Sequence, residues 1–488
     1  MTEPTPELAA RAAQQHVVVI GGGIGGLVAA RECAKVGMPV TLLEASAELG
    51  GAIRRAEVDG IVVDAGAESF ATRGGHVRAL VTELGLGGSI VAPEGGGAWI
   101  DGIPDVGAAP IPKGGILGIP DNPFAEDVRR VLGTGGMWRA YLDRLRPPLT
   151  IGFEHSLGKL VAGRMGEKVR DRLVAPVTAG VYSAHPDDVD VEAVAPGLSA
   201  ALTRVGSLSG AVAVLRGERE QKGATPGSAV EGLVGGMSTL VDALRADLEQ
   251  LGVEVRTGAR AEALVRDGNG WTVRVETVVA DDEDVAESEE LRAAAVVVAT
   301  SEPAARALLA GHAELGEEAV APEIQIITLV LDAPELDAAP RGTGVLTVPG
   351  SRIAKALTHS TVKWGWLRET AGGRHVVRVS FGTQGELPAT AALDDADAAQ
   401  LALAQASAML GVTLRPEQLV GAHRARHVQA QPASVIGSAE RRTAARAAVR
   451  AVPGVVAVGA WLAGTGLAQV VPDAVSETDR LRRALLFG

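Results

Sequence analysis

An α/β fold is what this sequence predicts: an open, doubly wound, mostly parallel sheet gathered from distant parts of the chain, with an α+β domain and a helical domain inserted between those parts. Three observations predict it. Apolar, β-branched runs of the fully buried kind occur at 16–20, 293–300 and 455–460. The first run leads at once into a glycine-rich loop, a helical period and a second short strand, which together make a βαβ unit. Between the runs lie long stretches of mixed strand and helix patterning.

Length and composition suit that class. With 488 residues the chain has room for two or three domains. Hydrophobic residues make up 47% and charged residues 22%, so a core forms without disulfide or metal staples. A formal net charge of −13 argues against nucleic acid as a partner. The single cysteine, Cys33, cannot form an intrachain disulfide and reads as a small buried hydrophobe. Residues 1–15 are polar and alanine-rich, lack the pattern of a signal peptide, and read as a flexible tail. The uncharged run 455–471 is broken by three glycines and reads as a buried strand entering a helix, not as a membrane span.

The elements follow in order. His16 to Ile20 is the first strand, and the helix after the loop stops at Gly37. Val40 to Leu43 is the second strand, closing with Glu44. Ala56 to Ala65 reads as a hairpin turning at Asp59-Gly60. Residues 91–123, rich in Gly and Pro, are expected to loop over the surface, and 124–215 to be mostly helical. Arg216 to Gly227 reads as a charged linker. A helix at 238–252 precedes a strand at 253–257, and Trp271 to Val279 alternates like a strand. The acidic stretch 281–290 reads as a solvated hairpin tip. Strands and helices mix over 305–425.

The loop Gly21-Gly22-Gly23-Ile24-Gly25-Gly26 carries a G-x-G-x-x-G spacing. The first glycine permits the tight turn, the second lets backbone approach a pyrophosphate, and the third lets helix and strand pack closely. The helix N-terminus then offers N–H groups and a positive dipole end to phosphate. Glu44, at the end of the second strand, stands where an acid takes a ribose hydroxyl, and an acid there disfavours a 2′-phosphate. This is a Rossmann-like dinucleotide site, and by itself it does not choose between FAD and NAD.

The next segment does. Leu49-Gly50-Gly51-Ala52-Ile53-Arg54 resembles the LGGR-type segment of FAD enzymes related to amine oxidases, phytoene desaturases and protoporphyrinogen oxidases. Asp59 to Arg73, DGIVVDAGAESFATR, is similar to a segment of the bacterial protoporphyrinogen and coproporphyrinogen oxidases, with Ala67 in place of a usual proline. IPKGGILGIP from Ile111, LVAPVTAGVY from Leu173, LVGGMSTLVDAL from Leu233, GTGVLTVP from Gly342, Lys363-Trp364 and GAWLAGTGL from Gly459 resemble that family's remaining segments, in its order. Departures fall at Ala463, at Ala468-Gln469 and over 425–435.

The resemblance implies FAD held by Gly21–Gly26, by Glu44 and Ala45, and by Gly50, Gly51, Ala52 and Arg54. It also implies contacts from Gly66, Ala67, Glu68 and Ser69, from Val255 and Thr300, and from Ala460, Trp461, Thr465, Gly466 and Leu467. It implies an FAD-binding domain over 16–75, 232–304 and 426–488, a substrate domain over 76–112, 206–231 and 305–425, and a helical domain at 113–205 able to touch a membrane. The implied reaction is oxidation of a porphyrinogen tetrapyrrole in haem biosynthesis, with O2 as acceptor and H2O2 as product. Coproporphyrinogen III is the expected substrate, with protoporphyrinogen IX, an amine or carotenoid substrate, or loss of catalysis as alternatives. Such a protein is expected in the cytoplasm, peripheral to the membrane, alongside haem-pathway enzymes. Because the chemistry is flavin-centred, no protein residue is expected as nucleophile, and no metal is expected. Anionic propionates call for basic residues, for which Arg73, Lys113 and Lys363 are the candidates, and Leu346, Val348 and the Ile116-Leu117 loop are candidate walls.

Overall fold

The computed structural model describes residues 6–146, 154–221, 229–268, 270–278, 286–320, 322–428 and 434–488. The three buried runs do join one parallel sheet. Its strands lie in the order Glu254–Thr257, Val40–Glu44, Val17–Ile20, Ala295–Val298 and Val455–Ala457. Val17, Val18, Val19 and the whole of Ala295–Val298 are fully buried, because helices cover one face and an antiparallel three-stranded layer (Ala259–Asp267, Gly270–Val278, Ala286–Ala293) covers the other. Helix Ile24–Ala34 packs between the sheet and the C-terminal helix Leu467–Phe487, so its apolar surface is buried on nearly every side. Cys33 is among these residues, and burial pushes its thiol up to about 12.

A second sheet has seven strands, in the order Leu419–Val428, Glu323–Leu331, His375–Phe381, Ala356–His359, Gly344–Thr347, Ala98–Ile103 and Gly107–Pro110. Its register assigns its two faces, since cross-strand partners share a face. One face carries Ile327, Leu329, Val345, Leu357, Val377 and Val379 and packs on helix Asp395–Leu410. The opposite face is covered at one end by the hairpin Arg55–Val58/Ile61–Asp64, through Val330 and Val376. At its other end Ile100 and Ile103 pack into the core of the helical layer, which spans Glu126–Tyr141 to Leu208–Gln221. Between these two covers Leu346, Ala356, Thr358 and Ser380 are only half-buried.

Several expectations change. Residues 91–123 are not a surface loop, since Ala98–Ile103 and Gly107–Pro110 complete the large sheet. Pro110 falls on the outer strand Gly107–Pro110, where ladder hydrogen bonds are needed on one side only. The helix from Leu208 runs to Gln221, so the supposed linker begins helical, and its remainder at 222–227 lies outside the described residues. Pro6–Ala12 of the expected tail is a helix, and residues 1–5 lie outside the description. Of the acidic stretch, 281–285 lie outside it and Ala286–Ala293 is a full strand. Residues 429–433 of the divergent 425–435 region are likewise outside. No single described helix is long and apolar enough to cross a membrane.

Candidate active site

The glycine loop is explained position by position. A Cβ on Gly26 would lie 1.9 Å from the Gly21 carbonyl oxygen, and one on Gly21, at φ +107°, would lie 2.6 Å from that of Ala299. Both positions are closed by the fold's own backbone. Gly23 differs. It has an ordinary extended backbone (φ −70°), and a Cβ there would meet nothing nearer than Gly51 Cα at 4.0 Å. The fold itself thus leaves room for a side chain at Gly23, and that open space at a helix N-terminus fits a pyrophosphate cradle. Gly50 and Gly51 (φ +114° and +63°) run alongside, with Gly50 N donating to Gly22 O at 2.8 Å.

Glu44 closes the cradle. Its Oε2 accepts from Gly22 N (2.7 Å), and its Oε1 from Ser46 N (2.8 Å) and Ser46 Oγ (2.7 Å). A carboxylate has about four acceptor positions, so Oε2 retains one for a ribose hydroxyl. Ala45 sits in the bend between Glu44 and Ser46, and Val255 pairs with Leu42 on the neighbouring strand. Arg54 is exposed and donates through Nε to Gly51 O at 2.9 Å, which keeps its guanidinium beside the loop.

The two ends of the chain meet here. Gly459 lies against Gly25, where an added Cβ would come within 3.5 Å of it, and the short helix Ala460–Ala463 follows. Gly464 and Gly466 take φ of +102° and +98°, and between them Thr465 presents a buried hydroxyl with no hydrogen-bond partner among the described residues. The indole N–H of buried Trp461 is also unpartnered. Buried polar atoms are seldom left unpaired, so the segment 459–467 fits a polar group that the cradle receives. Thr300 follows Ala299 at the base, and Leu467 opens the last helix. An open cradle, a ribose-competent acid and the unpaired Thr465 hydroxyl of the adjoining segment suit FAD.

The loop 66–69 links the cradle to the large sheet. Gly66 packs on Ala52 O, where a Cβ would clash at 2.0 Å, and Ala67 N donates to the same oxygen at 3.2 Å. Glu68 lies largely buried between Lys363 and Arg378. It pairs with the Lys363 ammonium, accepts from Arg378 Nη1 at 3.0 Å and lies 3.3 Å from Ser360 Oγ. Despite burial, the Lys363 and Arg378 charges hold its carboxyl down at about 2. Arg378 Nη2 also donates to Gly66 O. Lys363, a substrate candidate by sequence, thus faces Glu68, and Ser69 follows half-buried. Arg378 gave no motif signal. It sits on an alternating strand, and only the register shows that it shares the half-open face with Thr358 and Thr328.

The other candidates are dispersed. Arg73 is exposed at the turn after Phe70–Ala71, and its side chain has no partner among the described residues. Lys113 is exposed on the helical layer, where its backbone N–H donates to Asp127. Leu346 lies on the half-open face, packed against Gly180 of the turn Thr178–Tyr182. Val348, Leu117 and Ile116 pack into the helical layer's core. Asp64 accepts from Met237 N at 2.9 Å at the start of helix Ser238–Gln250, and burial raises it to about 7. No group of three or more metal-ligating side chains occurs among the described residues. His423 and His427 are four apart, but on a strand, which spreads them by about 13 Å.

The chain resembles known proteins over most of its length. The signature of the flavin containing amine oxidoreductases matches residues 24–478. The chain is 31% identical to the coproporphyrinogen III oxidase of Mycobacterium tuberculosis over 77% of its length and 78% of that protein's. It is 30% identical to the enzyme of that name from Mycobacterium leprae, over 96% and 97% of the two chains. A solved structure from Exiguobacterium sp. 255-15, provisionally named a protoporphyrinogen oxidase, superposes with a TM-score of 0.81 at 24% identity, over 96% of this chain and 99% of that one. A putrescine oxidase variant superposes at 0.65 and 15% identity, over 97% and 98%. The chain is therefore an FAD-dependent oxidoreductase of the flavin-containing amine oxidoreductase family, among the relatives of the coproporphyrinogen and protoporphyrinogen oxidases.

Proposed function

We propose that this protein oxidises coproporphyrinogen III to coproporphyrin III in haem biosynthesis, with three O2 reduced to three H2O2 as six hydrogens leave the substrate. The observation that carries this reading is the likeness to coproporphyrinogen III oxidases along almost the entire chain, 96% of it against the Mycobacterium leprae protein. Bound FAD supplies the two-electron acceptor.

The chain's own residues bind and orient. Gly21–Gly26 and the helix N-terminus hold the pyrophosphate, Glu44 the ribose, and segment 459–467 caps the cradle. The Lys363–Glu68–Arg378 cluster fixes loop 66–69 against the large sheet, so cradle and sheet face keep one spacing. The half-open face at Leu346, Ala356, Thr358 and Ser380 offers the mixed apolar and hydroxyl surface that a macrocycle with polar edges requires. Arg73, exposed and unpartnered among the described residues, is the cation this reading assigns to a substrate carboxylate. An amine substrate is favoured less: an aromatic cage needs paired rings, and of the two tyrosines Tyr141 is engaged with Phe124 and Trp138 on the helical layer.

The test is direct. Purified holoprotein mixed with coproporphyrinogen III in air should develop porphyrin fluorescence and peroxide together. Turnover of protoporphyrinogen IX alone, or of an amine alone, would refute the assignment.

A further inference from the structure

Lys355 sits just before strand Ala356–His359 and is 7% exposed. Among the described residues its ammonium has one polar partner, the hydroxyl of Ser183. Ser183 is itself buried, in a left-handed conformation (φ +56°) that ends the turn Thr178–Tyr182. Among the described residues no carboxylate pairs with Lys355. The charges on its own loop and the facing strand, Arg352 and Asp101, are paired with each other at 2.7 Å. Around it stand neutral groups: Thr347 Oγ1 donates to its carbonyl, its N–H donates to Ser380 O, and Gln384 N donates to Ser183 O. Burial without a counter-charge pushes its amine down to about 7.

A fold seldom buries a cation that nothing neutralises. The other buried Arg and Lys side chains among the described residues are paired: Arg164 with Asp143, Arg31 with Asp247, and Arg378 with Glu68. Lys355 is the exception, and its place gives a reason. The next residue, Ala356, lies on the half-open face beside Leu346 and Gly180. Just past the other end of that strand, Ser360, the first residue of helix Ser360–Lys363, touches Glu68 of the cradle-linked loop. The four-residue strand between Lys355 and Ser360 holds the two about 13 Å or more apart at ordinary strand rise. Lys355 leaves the strand on the packed face with Leu357, but its ammonium reaches Ser183, in the turn whose Gly180 packs on Leu346 and Ala356. A flat substrate laid on the half-open face, with its reacting carbon towards the cradle, would direct its far edge towards that turn and the ammonium it holds. The turn that carries Gly180 and Ser183 closes this end.

We propose that Lys355 is a substrate-binding residue that receives one carboxylate of the tetrapyrrole's far edge, with Ser183 holding the ammonium in place until the anion arrives. The inference rests on the porphyrinogen reading above. It assigns a specificity role, since a substrate bearing a neutral group at that edge leaves the ammonium buried and unpaired.

The test uses full-length holoprotein, Lys355→Met and Lys355→Arg, with coproporphyrin III and its tetramethyl ester as fluorescent probes. Lys355→Met should weaken coproporphyrin III about 10- to 100-fold, the loss expected for one charge-assisted contact. It should leave the ester unchanged, and Lys355→Arg should restore most of the affinity. In turnover the Met variant should raise KM while kcat stays within about twofold. FAD content and melting temperature show that each variant is folded, and the Met variant should melt no lower than wild type, because it removes an uncompensated charge. Equal loss for acid and ester, or no loss for either, overturns the assignment. Should the wild type turn over no porphyrinogen, the reading above fails, and the probe-binding comparison still decides whether Lys355 receives a carboxylate.

Discussion

Replacing Glu68 by Gln tests the junction between cradle and sheet. In the native protein the Lys363 and Arg378 charges hold the Glu68 carboxyl at about 2, against an ordinary 4.5. At about 1.4 kcal/mol per pH unit, that depression corresponds to about 3 kcal/mol of folded-state stabilisation at neutral pH. The side chain is 11% exposed, so solvent screens little of it. Glu68→Gln removes the charge and keeps the shape, leaving Lys363 and Arg378 as like charges in a buried site, a kind of change that costs about 3–5 kcal/mol when one partner of a buried pair is lost. Urea unfolding of both proteins at saturating FAD should show the variant about 3 kcal/mol less stable at pH 7. The pH dependence has a fixed sign. Because the folded carboxyl titrates below the unfolded one, its contribution is complete above pH 4.5 and disappears as pH falls towards about 2. The gap between the two proteins must therefore close over that window. Adding Lys363→Met to the variant should recover part of the loss. A gap below about 0.5 kcal/mol at pH 7, within the range of ordinary surface changes, would refute this account of the cluster.

Other outcomes follow from the same geometry. Gly23→Val should give a folded, colourless protein with FAD occupancy below about a tenth, since the side chain enters only the cradle; a yellow variant, read by the flavin absorbance released on denaturation, would displace the cradle from Gly23. Gly26→Ala should instead destabilise the apoprotein by about 3 kcal/mol or more, because its Cβ would lie 1.9 Å from Gly21 O; an unchanged melting temperature would contradict that packing. Arg73→Ala should raise KM for coproporphyrinogen III about tenfold and leave stability unchanged, as the side chain is exposed; an unaltered KM removes Arg73 from carboxylate binding. Cys33 should resist thiol reagents in the native protein and react once unfolded, its thiol being buried and raised to about 12; rapid labelling of native protein would disprove its burial.

Some of this was legible in the sequence because it is local. Glycine spacing, a strand before and a helix after, and an acid closing the second strand are set within 16–44, and each reports a backbone requirement that neighbouring residues impose. The hairpin turn at Asp59-Gly60 is local in the same way, and both residues take positive φ, of 50° and 75°. The buried strands 295–298 and 455–457 were also readable, since an uninterrupted apolar run has one common use in an α/β fold.

What only the tertiary structure decided involves partners far apart in the chain. Ala98–Ile103 and Gly107–Pro110 looked like loop because an edge hairpin has weak local preference, and its strand character comes from pairing with Gly344–Thr347. Lys363 read as a free cation until folding set it against Glu68, 295 residues away. Lys355 read as nothing in particular, because burial and the lack of a counter-charge are properties of its surroundings. Sequence fixes which groups a segment can offer, whereas the charge a group keeps depends on what long-range packing sets beside it.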